Sequence, residues 1–137
     1  MAGTNKVIGG GGFHHVALKA KDFDASVKFY TQGLGFKPWI SWGQGDGRAV
    51  MLDTGDGSCL EVFAGGKGPQ PEGNLLHFAL NTANCDAALD RARQAGAKIT
   101  MEPKSLVIDA KLPTPVRIAF CTGPDGETIE FFQLEKK

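Results

Sequence analysis

The sequence predicts an α+β fold: two tandem βαβββ modules whose strands form a cupped mixed sheet, with the helices on its outside. Three observations predict it. The order strand, helix, three strands occurs twice. Each half opens on a histidine in a short apolar run, FHHVAL and then LLHFAL. Each half closes on a glutamate in another, CLEVF and then TIEFF. Self-similarity of this kind points to a duplicated unit.

The first module is expected over 13–64. FHHVALKA alternates as a strand, with Phe13, His15, Ala17 and Lys19 on one face and His14, Val16 and Leu18 on the other. Asp22 offers an N-cap. Phe23, Val27, Tyr30 and Leu34 follow at helical spacing, and Gly33 and Gly35 end the helix. FKPWISW, RAVMLDT and SCLEVFA then read as strands, with GQGDG and GDG as the turns between them.

A polar Gly/Pro linker, 65–73, leads to the second module, 74–134. LLHFALN places Leu75, His77 and Ala79 on one strand face. Asn84 can cap a helix with the stripe Ala88, Leu89, Ala92 and Ala95, stopped at Gly96. AKITME, VRIAFCT and ETIEFFQ complete the unit, with GPDG as a turn before the last strand. The halves differ in one place: 46 positions separate His15 from Glu61, and 53 separate His77 from Glu130. The extra length falls in 103–115, where Pro113 and Pro115 argue for a long loop. Residues 1–12, with four glycines, read as a flexible lead-in.

Composition narrows the functional classes. The chain has 137 residues, enough for one domain, and 42% of them are apolar. Fifteen basic and fifteen acidic residues give zero formal charge, which argues against a nucleic-acid partner. No apolar run reaches the ~18 residues of a membrane span, and the opening MAGTNKVIGGGG is not expected to act as a secretory signal. Cys59, Cys85 and Cys121 are too few and too scattered for a disulfide framework, so a reducing, cytoplasmic setting is expected.

The paired residues carry the chemistry. In each half the fully apolar strand face should pack on the helix, leaving His and Glu on the other. A carboxylate among apolar side chains costs several kcal/mol unless paired or metal-bound. His15, Glu61, His77 and Glu130, brought together by pairing the halves, would make an N2O2 site for a divalent metal ion: Ni, Zn, Co, Mn or Fe. His14 competes with His15, but its phase puts it on the core side. Glu130 is the preferred catalytic base and Glu61 its rival. Trp39, Trp42, Arg48, Met51, Phe63, Arg117 and Phe132 are weaker pocket candidates, and Cys59 and Cys121 weaker still.

HVAL, DASVKFYTQGLGF, LEVF, HFAL, AALDRARQAGA and PDGETIEFFQ together resemble the vicinal oxygen chelate superfamily, which embraces glyoxalases, bleomycin-resistance proteins and extradiol dioxygenases. The resemblance spans Phe13 to Gln133 and implies one glyoxalase-like domain around a single divalent metal. The order His15, Glu61, His77, Glu130 is similar to that of glyoxalase I. It implies a metal-dependent lyase or isomerase acting on a small-molecule substrate with adjacent oxygens, and a homodimer. A non-haem Fe(II) dioxygenase and a drug-binding protein of bleomycin-resistance type are the alternatives. Lys19 and Gly65 stand where glyoxalase I enzymes usually carry the Arg and Asn that help hold glutathione, so the resemblance does not extend to those positions.

Overall fold

The computed structural model describes residues 5–7, 9, 12–69, 73–108, 111 and 113–135. Most of the expected lead-in, and 70–72 of the linker, lie outside the described residues. The element order is β1 (His15–Lys19), α1 (Phe23–Lys28), a π-helical turn (Phe29–Gly33), β2 (Lys37–Trp42), β3 (Ala49–Asp53) and β4 (Cys59–Phe63), then β5 (Phe78–Asn81), α2 (Cys85–Gln94), β6 (Lys98–Ile108), β7 (Thr114–Thr122) and β8 (Thr128–Leu134). This is βαβββ twice, in an α+β fold.

Each module closes its own four-stranded mixed sheet, ordered β1-β4-β3-β2 in one and β5-β8-β7-β6 in the other. β1 runs parallel to β4 and β5 to β8; the remaining pairs are antiparallel. The helices start where their caps dictate. Asp22 accepts from the Ala25 N–H and Asn84 from the Ala87 N–H, satisfying first-turn donors that have no intrahelical partner. Gly35 and Gly96 follow the helical segments at positive φ, a conformation open to glycine at no steric cost.

One apolar cluster joins the helix-facing sides of both sheets. It holds Tyr30, Leu52, Leu60 and Val62 from the first module and Leu89, Ala119, Cys121 and Ile129 from the second. Each sheet therefore turns its other face, the one carrying His and Glu, away from the shared core. The modules dock through α1 and the segments on either side of it. Tyr30 Oη donates to Glu127 at 2.7 Å, Ser26 Oγ to Asp125 at 2.9 Å, and the Lys21 N–H to Asp125 at 2.7 Å.

Within the long loop expected over 103–115, residues 103–108 and 114–115 are strand, and 109, 110 and 112 lie outside the described residues. β6 runs to Ile108, and β7 includes Pro115 opposite Val107. Pro103 is tolerated because β6 is an edge strand and its register shifts between Met101 and Lys104. Pro115 is tolerated in a central strand because its carbonyl accepts from Glu135, one residue past the end of β8, so its missing N–H falls where that ladder has ended.

Candidate metal centre

Register builds the site in both halves. In the first, Ala17 lies opposite Glu61 and His15 opposite Cys59. In the second, Ala79 lies opposite Glu130, with His77 just ahead of the strand. Each histidine thus sits two residues before the alanine that faces the glutamate. Across the antiparallel ladder, Glu61 pairs with Met51 and Glu130 with Phe120. The strand register around the glutamate is the same in both halves.

The four candidates come together as two couples. His15 Nε2 lies 3.8 Å from Glu61 Oε1, and His77 Nε2 lies 2.9 Å from Glu130 Oε2. The carboxylate side chains are 10% exposed in both, and the imidazoles 39% and 37%. No group of three or more His, Cys, Asp or Glu side chains is arranged to hold a metal among the described residues. Each couple supplies one imidazole and one carboxylate.

The chemistry of the donors fits a cation. Glu61 is nearly buried, and the imidazole beside it lies 3.8 Å away, beyond hydrogen-bond reach. A carboxylate held so costs several kcal/mol without a positive partner. His14 Nδ1 and His15 Nδ1 are 2.9 Å apart, so one ring donates to the other. With His15 as donor, its Nε2 lone pair is left free on the Glu61 side, the tautomer a metal ligand needs. His14 itself is exposed rather than on the core side.

The weaker pocket candidates divide by strand phase. Met51 shares the Glu61 face through its direct pairing. Trp42 packs edge-on against Phe63, with ring centres 6.3 Å apart, on that same face. Phe132 lies on the Glu130 face two residues on, and Cys59 faces His15. Trp39 is exposed at the β2 register shift, 6.3 Å from the His14 ring. Arg48 and Arg117 are not pocket residues. Arg48 lies 4.5 Å over the Phe23 ring and 3.4 Å from Asp24, while Arg117 grips Asp86 at 2.6 and 2.9 Å, both against helices. Cys121 sits in the core, where burial lifts its thiol to about 11.

Sequence reading missed these ion pairs, although they repeat too. Asp24 and Asp86 each stand two residues after the cap, and each arginine stands three before the residue facing the glutamate. It also missed Asp125, read only as a turn residue, and Glu127, read only as the start of the last strand. The signal was two acids flanking a glycine beside a helix that carries Ser26 and Tyr30.

Comparison with known proteins accords with this duplicated plan. The Glyoxalase/Bleomycin resistance protein/Dioxygenase superfamily model matches residues 12–131. The uncharacterized protein YwbC of Bacillus subtilis (strain 168) is 33% identical over 124 residues, covering 87% of this chain and 94% of that one. A probable lactoylglutathione lyase of Vibrio cholerae is 29% identical over 126 residues, covering 87% and 88%. Among solved structures, a V278E glyoxalase I mutant from Zea mays aligns with a TM-score of 0.72 at 23% identity, covering 90% of this chain and 45% of that one. TnmS3, an antibiotic binding protein from Streptomyces sp. CB03234, aligns at 0.65 and 21%, covering 91% and 97%. The chain belongs to the Glyoxalase/Bleomycin resistance protein/Dioxygenase superfamily.

Proposed function

We propose that the protein is a divalent-metal-dependent lyase or isomerase of glyoxalase type, acting on a small substrate with adjacent oxygens. We further propose that a second copy of the chain completes each site, His15 and Glu61 of one protomer joining His77 and Glu130 of the other. The observation that carries this reading is the duplicated couple, in one register, on two faces turned from the shared core. Two such halves within one chain do not add up to four donors at one point; two chains related by a twofold axis supply two complete sets.

His15, Glu61, His77 and Glu130 would hold Ni, Zn, Co, Mn or Fe, a choice that imidazole and carboxylate donors do not narrow. Bound there, the cation would supply Lewis acidity to the substrate's neighbouring oxygens. The chain's own part is to orient and to move a proton. Glu130, nearly buried and next to His77, takes the proton from the carbon beside the substrate carbonyl and returns it to the adjoining carbon. Glu61 is the alternative base. Apolar neighbours on the same faces, Met51, Phe63 and Phe132, exclude water from the substrate. Three free, buried thiols suit a reducing compartment such as the cytoplasm.

A binding protein without catalysis is the second reading, favoured by the exposed Trp39 and Trp42 beside the first couple. An Fe(II) dioxygenase is less favoured, because oxygen activation uses two histidines and one carboxylate, and a second carboxylate occupies an open position. Elemental analysis of the purified protein, followed by turnover assays with hemithioacetals, catechols and epoxide antibiotics, separates the three. Stoichiometric metal with hemithioacetal turnover is expected. Protein free of metal that binds an antibiotic without consuming it would overturn the lyase reading. A Glu130→Gln variant that kept metal and full turnover would remove the base role from Glu130.

A further inference from the structure

A cleft of about 830 Å³ opens where the end of α1, the end of α2 and the β6 and β7 termini meet. None of the four candidate ligands lines it. Its apolar floor includes Phe29, Ala95 and Ala97; its cationic rim is Lys28, Arg91 and Lys98; no carboxylate lines it. In a chain with zero formal charge, this is a local excess of three positive charges.

Arg91 is the decisive member. Of the four arginines, Arg48, Arg93 and Arg117 are each neutralised by aspartate or glutamate. Arg91 meets neutral acceptors instead, the Gln32 carbonyl at 3.2 Å and Gln94 Oε1 at 3.4 Å. Those bonds hold the guanidinium across the junction between the modules and leave other N–H groups for an oxyanion. The nearby carboxylates are already engaged: Asp24 with Arg48, Asp90 with Arg93, Asp125 with Ser26 and the Lys21 N–H, and Glu127 with Tyr30. Lys28 and Lys98 make no ion pair among the described residues.

We propose that this cleft is a second binding site, for a small organic oxyanion: a carboxylate or phosphate monoester with a compact apolar body. The head group meets the Arg91 fork between the two lysines, and the body lies on Phe29 and the Ala95–Ala97 segment. Lys28 comes from the first module and Arg91 and Lys98 from the second, so an occupant also ties the modules together. The inference goes beyond the metal-site reading and does not rest on it.

The test is an amide-shift titration of the ¹⁵N-labelled full chain with phenyl phosphate, benzoate and inorganic phosphate, at low and high salt. Saturable shifts centred on Gly33, Gly96 and Gly123 are expected, weaker at high salt, and weaker for inorganic phosphate, which lacks the apolar body. Arg91→Gln and Lys98→Gln should each weaken binding roughly tenfold, and Lys37→Gln on β2 should not. If Arg91→Gln fails to fold, Lys98→Gln still decides, since its ammonium supports nothing else. Shifts confined to the His and Glu faces, no saturable shifts, or wild-type affinity in Lys98→Gln would each overturn the proposal.

Discussion

The two halves of the molecule agree where donors are set and differ where the modules meet. In both, a histidine precedes by two residues the alanine opposite a glutamate, and an arginine binds the acid in the first turn of the helix. The couples differ in closure, 3.8 Å against 2.9 Å, and His15 has a histidine at its Nδ1. The helices diverge more. α2 runs unbroken, whereas α1 passes at Phe29 into a π-helical turn ending at Gly33. Duplication kept the strand register that aims the donors, and the freedom to differ was spent on docking one copy against the other.

The largest expected effect tests whether the two couples serve one site. His15→Ala and His77→Ala should each strip metal and turnover from a homodimer, because every site loses a donor. Mixed and reassorted, half the dimers are hybrids. One of each hybrid's sites carries both lesions and the other carries none, so about a quarter of wild-type sites should return. Metal content and turnover of the mixture measure this. A mixture as inactive as its components would break the symmetric pairing and leave each half to act alone.

Next comes the docking contact. A Cβ on Gly33 would stand 2.6 Å from the Ala95 Cβ, which is fixed to a helix backbone and cannot yield cheaply. Gly33 is not among the glycines at positive φ, so alanine fits its backbone and isolates the clash. Gly33→Ala should cost about 1–3 kcal/mol in denaturant unfolding, as overpacked contacts do. Adding Ala95→Gly should restore part of it. Wild-type stability in the single variant would mean that the helices are not pressed together there.

A smaller effect is expected at Tyr30. Its hydroxyl is buried, which lifts its pKa far enough to keep it a donor, and Glu127 accepts from it. Tyr30→Phe should cost about 1–3 kcal/mol by leaving a partly buried carboxylate short of a partner. Burial raises the Glu127 carboxyl above its ordinary range, although the Tyr30 bond pulls it down. The folded state therefore holds that proton longer than the unfolded state does. Its contribution is complete below the ordinary carboxylate range and is lost as pH rises through the raised value. Without the Tyr30 bond the loss should grow, so the gap between variant and wild type should widen with pH over that window. A constant gap would show that Tyr30 acts by packing alone.

These contrasts mark what was legible in the sequence. Strand phase separated the helix-facing Leu60 and Val62 from Glu61 because alternation is a local property. Caps at Asp22 and Asn84 were legible for the same reason, since a cap is decided within one turn. The 103–115 segment misled because a proline's tolerance depends on which edge of the ladder its nitrogen faces, and that is fixed by strand order. Convergence of four donors was read from repetition. Repetition places two couples in equivalent positions without saying whether they meet. The carboxylates of Asp125 and Glu127 looked like ordinary turn and strand-start residues because their partners lie 99 and 97 positions away.

The smallest effect compares the duplicated ion pairs. Arg117 is bidentate to Asp86 at 2.6 and 2.9 Å, whereas Arg48 reaches Asp24 through one nitrogen at 3.4 Å with both side chains more exposed. A fork on a carboxylate is the stronger geometry, and exposure screens the other pair. Accordingly, the hydrogen bond from Arg117 holds the Asp86 carboxyl below its ordinary range. A depressed folded value contributes stability above the unfolded carboxylate range, and that contribution is lost as pH falls through the folded value. Asp86→Asn should therefore lower stability slightly at neutral pH and converge on wild type in acid. Asp24→Asn should track wild type throughout. Thermal unfolding of both variants across the acid range measures it. Equal curves would mean that the tighter geometry in the second module confers no advantage in water, and that the two halves are equivalent at this pair as well.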